Sequence, residues 1–189
     1  DGTALTDSGY KITSGSFVGE EGLASVTVEG SITDPGDEPN VIKGHELKDG
    51  TLADNYNITY KPGNLHVDKV TAEIVITADS NHKTYDGTAL TDDGYTYTQG
   101  VLAEGDELTA VVEGSATNVS DGRVANKVTS YKVMRGETDV TANYTFGDSV
   151  AGELYIEPRD VELTANSATK VYDGTALTDS GYKITSGSF

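Results

Sequence analysis

The residues that invite a search for acid–base or metal chemistry are three histidines, His45, His66 and His82. A zinc or catalytic site needs ligands that converge on one point. The chain repeats itself, yet none of the three recurs at an equivalent position: His66 aligns with Tyr155 and His82 with Thr169. Unmatched single histidines read as surface residues. Serine and threonine are abundant, but no nucleophile-elbow motif and no histidine–acid pair accompanies them, so no enzyme is expected. Hard cations want several oxygens from one loop. Asp34-Pro35-Gly36-Asp37-Glu38, Asp92-Asp93 and Glu104-Gly105-Asp106-Glu107 are the acidic candidates for calcium. They show no EF-hand or nonapeptide spacing, and the first has no acidic counterpart beyond Asp121, so solvated turns are the preferred reading and no cofactor is expected. Eleven tyrosines could stack on sugar rings. Tyr56, Tyr85, Tyr144 and Tyr172 recur in pairs, which favours packed or corner roles with the hydroxyl on a backbone partner. Tyr95, Tyr97 and Tyr131 are less regular and free to be exposed.

What must position these residues is a repeat. Lys83-Thr84-Tyr85-Asp86-Gly87-Thr88-Ala89-Leu90-Thr91 returns as Lys170-Val171-Tyr172-Asp173-Gly174-Thr175-Ala176-Leu177-Thr178, and the chain opens inside a third copy, Asp1-Gly2-Thr3-Ala4-Leu5-Thr6. Asp-Gly is a turn dipeptide, because glycine accepts positive φ and aspartate bonds its own backbone. The Tyr before the turn and the Leu after it are the expected apolar anchors. A long fixed spacing means an array of domains. The units read as 1–70, lacking its first strand; 71–158, complete; and 159–189, the start of a third. Val28-Glu29-Gly30-Ser31 matches Val112-Glu113-Gly114-Ser115, Asn40 matches Asn126, Asn55-Tyr56 matches Asn143-Tyr144, and Gly63 to Val67 matches Gly152 to Ile156.

Within the units the apolar period is two. Ile74, Ile76 and Ala78 alternate with Glu73, Val75 and Thr77; Val161, Leu163 and Ala165 alternate with Glu162 and Thr164; Leu108, Ala110 and Val112 repeat as Ala24, Val26 and Val28. Such runs, rich in Thr, Val, Ile and Tyr and separated by Gly, Asp, Asn and Ser clusters, are half-buried strands. In the complete unit, strands are expected near 72–78, 83–85, 94–98, 107–114, 126–134, 142–146 and 152–157. Asp79-Ser80-Asn81 is a polar kink after which the chain can change sheets. The fold class is all-β, tandem immunoglobulin-like β-sandwich domains; a β-grasp-like repeat is the alternative, disfavoured because no helical stripe appears.

The 189 residues carry 31 acids against 13 bases, a net charge of −18. That balance disfavours nucleic acid and anionic membrane surfaces as partners. Cysteine is absent, which excludes disulfides and thiolate chemistry and leaves the compartment open. No apolar run reaches membrane-spanning length, and no signal peptide is read. The start in mid-motif suggests a piece of a longer array.

Lys-x-Tyr-Asp-Gly-Thr, a strand ending Val-Glu-Gly-Ser, Asn-Tyr, and a closing Gly-x-Leu-x-Ile/Val strand, in that order twice over, resemble the YDG/MBG-type tandem repeats of bacterial surface adhesins. The resemblance covers essentially the whole chain. It implies an extracellular, bacterial cell-surface location and a stalk or spacer role, presenting or forming part of an adhesive region, with Tyr85, Asp86, Gly87, Tyr172, Asp173 and Gly174 as structural motif residues. The alternative is a module that recognises mucin glycans or a host protein through its variable loops, 33–40 against 117–126 and 48–54 against 135–142. Surface domains of this general kind sometimes carry a Lys–Asn isopeptide crosslink; Lys83 and Asn143, with Asp86 as the acid, would be the pair. The competing reading is a salt-bridged lysine and a turn asparagine.

Two mechanical expectations close the reading. Only Glu157-Pro158-Arg159-Asp160 separates Ile156 from Val161, so consecutive units should swing little. Residues 1–17 are identical to 173–189. The first unit lacks the opening strand that Val161 to Tyr172 would supply, so 161–172 of one molecule is expected to add to residues 1–70 of the next, head to tail.

Overall fold

The structure, a computed structural model, describes residues 2–189, so Asp1 of the opening Asp-Gly turn lies outside the described residues. It is all-β, with several sheets. The strands are β1 (Leu23–Glu29), β2 (Gly36–Leu47), β3 (Gly63–Val67), β4 (Glu73–Ile74), β5 (Ile76–Ala78), β6 (Asn81–Thr84), β7 (Tyr95–Tyr97), β8 (Asp106–Glu113), β9 (Val124–Arg135), β10 (Thr138–Asp139), β11 (Thr145–Phe146), β12 (Gly152–Glu157), β13 (Glu162–Ala165) and β14 (Tyr182–Ser186). Among the described residues the only helices are one-turn 3-10 segments at 53–55, 119–121 and 141–143. The helix that a β-grasp repeat needs is not among them. Of the expected strand at 142–146, Thr145–Phe146 is β11, while 142–143 fall in the last of these turns, where Asp139 accepts the Thr141 backbone N–H at 2.9 Å and curls the chain.

Chain packing divides the residues into two compact units that do not follow the sequence repeats. One is Asp1–Val75, Tyr97–Thr109 and Tyr131–Asp148; the other is Ile76–Thr96, Ala110–Ser130 and Ser149–Phe189. The first unit holds the antiparallel sheet β1-β2-β3 and the parallel pair β4–β11. Its buried residues include Leu65, Ile74, Leu108, Val133, Val140 and Tyr144. In β1 the inward residues are Leu23, Val26 and Val28, and Ala24 is exposed. A register shift between Leu23 and Ser25 is the reason, since one extra residue reverses the alternation.

The second unit holds β5–β7, the ladder β9-β12-β6 and the pair β13–β14. Its core gathers Leu90, Ala116, Leu154 and Ile156, with Val124 against them. The period-two pattern places Ile74, Ile76 and Ala78 inside, at no more than 3% exposure, while Glu73 is exposed. The opening strand of the complete repeat divides its allegiance. β4 runs parallel to β11, β5 runs beside β7, and after Asp79-Ser80 the chain crosses so that β6 lies parallel to β12. The polar kink does what its composition suggests.

The third copy repeats the first step of this scheme. β13 and β14 pair Leu163 with Ile184 and Ala165 with Tyr182, but every residue of both strands is exposed. A large-to-small change should therefore be costly in the buried core of the complete repeat and nearly neutral in the third copy. Leu154→Ala, at a fully buried site, should lower stability by about 2–5 kcal/mol in chemical denaturation. Leu177→Ala, which is 47% exposed, should stay within about 0.5 kcal/mol of the native chain.

Candidate functional site

The Lys-x-Tyr-Asp-Gly-Thr motif is a hydrogen-bonded knot in both complete copies. Asp86 Oδ1 accepts the Thr88 backbone N–H at 2.9 Å and the Thr88 hydroxyl at 2.7 Å, and Lys83 Nζ reaches it at 2.8 Å. The same ammonium donates to Thr88 Oγ1 at 2.6 Å. Lys170, Asp173 and Thr175 reproduce the set at 2.8, 2.6, 2.9 and 2.7 Å. Gly87 and Gly174 supply the turn with φ of 81° and 74°. The lysine hydrogen bond, then those of the threonine, hold the Asp86 carboxyl far below its ordinary value and bring Asp173 down to about 2. Both carboxylates are thus fixed as ionised structural acceptors.

The expected tyrosine anchors are corrected here. Tyr85 is 39% and Tyr172 93% exposed. β6 is the edge of its sheet, and Tyr85, just past its end, uses its backbone instead, donating to Glu157 O at 2.9 Å. Leu90 is buried as an anchor. Tyr56 and Tyr144, from the Asn-Tyr pair, take the corner role. The Tyr144 hydroxyl accepts the Ala103 N–H at 2.9 Å and donates to Asp106 Oδ2 at 2.5 Å. The Tyr56 hydroxyl accepts the Val18 N–H at 3.1 Å and donates to Glu21. Tyr131, 42% exposed, stacks on Phe146 at 4.3 Å.

Asp106, from one of the acidic loops, has a fully buried side chain that also accepts Arg135 Nε at 2.7 Å and Nη2 at 3.1 Å. Burial opposes its ionisation, but the Arg135 and Tyr144 hydrogen bonds and the guanidinium charge prevail and hold it below 3.8. Burial and the Asp106 bond push Tyr144 above 10.0. Arg135 Nη1 continues to Asp34 Oδ1 at 3.2 Å, and Asn143 Nδ2 reaches the same oxygen at 2.8 Å. The acidic loops thus meet cationic or amide donors. Asp121 caps a one-turn helix by accepting the Thr117 and Asn118 N–H groups, each at 2.8 Å. Among the described residues no group of three His, Asp or Glu side chains is placed to hold a metal. The crosslink pair is engaged separately, Lys83 with Asp86 and Asn143 with Asp34.

Each histidine has its own neighbour. His45 Nδ1 meets the Tyr60 hydroxyl, His66 lies between Asp37 at 2.9 Å and Asp68 at 3.2 Å, and His82 stacks on Tyr155 at 5.0 Å. The Asp37 bond, then that of Asp68, raises the His66 pKa.

The residue that sequence reading aligned but gave no role is the asparagine at 40 and 126. Asn126 is 0% exposed, and its Nδ2 donates at 2.9 Å to both the Asp79 and the Asp92 carbonyl. It therefore ties the end of the opening strand to the turn before β7. Room for it explains the repeated Glu-Gly-Ser: a Cβ on Gly114 would stand 2.7 Å from Asn126 Oδ1, and one on Gly30 would stand 2.5 Å from Asn40 Oδ1. Gly152 is needed for the strand itself, since a Cβ there would stand 2.1 Å from Asp79 O. The signal was available in the sequence as a polar residue recurring inside two apolar strands.

In the first repeat this arrangement surrounds an open groove of about 780 Å³, lined by Tyr10, Ile12, Asn40, Ile58, Lys61 and Gly63 among others. Asn40 is 8% exposed and donates to the Asp7 carbonyl at 2.8 Å, the counterpart of Asp92. A Cβ on Gly63, the counterpart of Gly152, would meet nothing closer than 3.7 Å. Leu5 is 40% exposed where its counterpart Leu90 is 8% exposed.

Asp106→Asn should cost about 1–3 kcal/mol at neutral pH, because the part-buried Arg135 guanidinium and the buried Tyr144 hydroxyl lose a charged acceptor. Because the folded carboxyl lies below its ordinary value, its stabilisation is complete above about pH 4 and lost as pH falls through the folded pKa. Denaturation at stepped pH should therefore show the native and Asp106→Asn curves converging in acid. Intact mass should equal the sum of the residues with no ammonia lost, as the separate partners of Lys83 and Asn143 require.

Set beside family models, curated proteins and solved structures, the chain matches none of them.

Proposed function

We propose that this chain is a structural stalk or spacer segment of a bacterial surface adhesin, built of immunoglobulin-like β-sandwich repeats and serving outside the cell. The observation that carries the reading is the bonding at the junction of the first two repeats. Asp34 of the first accepts from Arg135 and Asn143 of the second. Val70, between them, donates its N–H to Asn143 O at 3.2 Å and accepts the Thr145 hydroxyl at 2.8 Å. Several polar bonds across a junction are what a load-bearing spacer requires, since each removes a way for neighbouring repeats to pivot. The split opening strand, beside β7 and then parallel to β12, supports the sandwich reading. No helix is long and apolar enough to cross a membrane among the described residues.

The segments that vary between repeats support the same role. Residues 33–40, 48–54, 117–126 and 135–142 contain no aromatic residue. They form turns, one-turn helices and strand ends in which Asp121 and Asp139 bond local backbone. The test is direct: the chain applied to mucin and to a glycan panel should show no saturable binding. Saturable binding that is lost on exchanging 48–54 for 135–142 would replace the spacer by a recognition module. In the spacer account Asp34→Ala should broaden the distribution of repeat–repeat distances in double-label spectroscopy, and an unchanged distribution would refute the clamp.

A further inference from the structure

We infer that the complete repeat is a shear lock: tension that enters at Lys69 and leaves at Asp160 loads the bonds between its opening and closing segments together, not one after another. The inference concerns how the fold answers force. It holds whatever surface carries the chain, so it does not rest on the spacer reading.

The two end segments of the repeat run parallel wherever they meet. In the first unit β4 lies parallel to β11, with Glu73 beside Thr145 and Ile74 beside Phe146. Val70 N donates to Asn143 O at 3.2 Å, and Gly147 N to Ile74 O at 3.0 Å. In the second unit Thr77 forms a parallel bridge with Val150. There Val150 N donates to Ile76 O at 2.8 Å and Ala78 N to Val150 O at 2.9 Å. β6 then runs parallel to β12, from Asn81 beside Leu154 to Thr84 beside Glu157. Tyr85 N closes the series by donating to Glu157 O at 2.9 Å. The ladder pauses at the polar kink, where side chains take over. Ser80 Oγ accepts the Glu153 N–H at 2.9 Å, and Asn126 Nδ2 donates to the Asp79 carbonyl at 2.9 Å.

Parallel direction decides how force is shared. Tension draws the opening segment back towards its start and the closing segment forward past its end. In each unit the two are therefore pulled in opposite senses along their common direction, while the bonds between them run across it. One such bond contributes only about 1 kcal/mol, and a pair of strands held at adjacent ends would surrender its bonds singly. Here the bonds must slip together. Slippage also meets the core: Ile74, Ile76, Ala78, Leu154 and Ile156 are at most 4% exposed. A shift of one residue would turn each of them towards the opposite face.

The chain has no cysteine, so two introduced thiols define where force is applied. Lys69, Ala142 and Asp160 are exposed positions for them. In an optical trap, the full chain held at Lys69→Cys and Asp160→Cys should rupture at a several-fold higher force than the chain held at Lys69→Cys and Ala142→Cys. The second geometry peels the same segments from one end. Tyr85→Pro, at a position 39% exposed, removes the last bond to Glu157 O and spares the core. It should lower the first force and leave the second unchanged, whereas a general loss of stability would lower both. Equal forces in the two geometries, a higher force in the second, or a Tyr85→Pro effect of the same size in both would each overturn the inference.

Discussion

The side-chain amide of Asn126 ties the opening strand of the complete repeat to the turn before β7. It is completely buried, its Oδ1 has no partner, and the two bonds of its Nδ2 offset part of the cost of burying the amide. Both go to backbone carbonyls, those of Asp79 and Asp92. The strand is therefore recognised as a backbone at a set position, while its side chains answer only to the apolar pocket. The glycines at 114 and 152 belong to the same device, one making room for the asparagine and the other for the carbonyl it holds. Where the strand is in place, Leu90, Ala116, Leu154 and Ile156 form a continuous core. In the first sequence repeat the equivalent Leu5 stands 40% exposed and a groove is open.

The strands were legible in the sequence because their apolar period is strict. Ile74, Ile76 and Ala78, and again Leu108 and Val112, face inward as alternation requires. The polar kink at Asp79-Ser80-Asn81 marked the change of partner, and the Asp-Gly turn announced itself twice. What could not be read was which repeated residue is buried. Tyr85 repeats and is exposed, since it follows an edge strand whose bonds are made by backbone. Asn126 repeats and is buried, because tertiary partners far along the chain satisfy it. Repetition reports that a position matters, not whether it faces the core. The Asp106–Arg135–Tyr144 group was hidden for the same reason: its members are 29 and 38 residues apart and join only in the fold.

The acidity of the chain has a local logic. Asp86, Asp121, Asp139 and Asp173 accept hydrogen bonds from residues two to four positions away and are held ionised by them. These carboxylates take the place of a partner strand for turn backbone that would otherwise lack acceptors. Asp34 and Asp106 instead reach across long sequence distances to a shared arginine. The acids thus define turns within a repeat and bond from the first sequence repeat to the second.

The side-chain amide protons of Asn40 and Asn126 offer the most direct measurement. In Asn126 both nitrogen–hydrogen bonds are occupied within the chain, so its amide protons should exchange slowly with solvent at any concentration, and so report a closed repeat. Asn40 makes one such bond, to the Asp7 carbonyl at 2.8 Å, beside an open groove. Amide-proton exchange by NMR should find the Asn126 side chain far better protected than that of Asn40. Asn126 amide protons that exchange as fast as those of Asn40 would contradict the account.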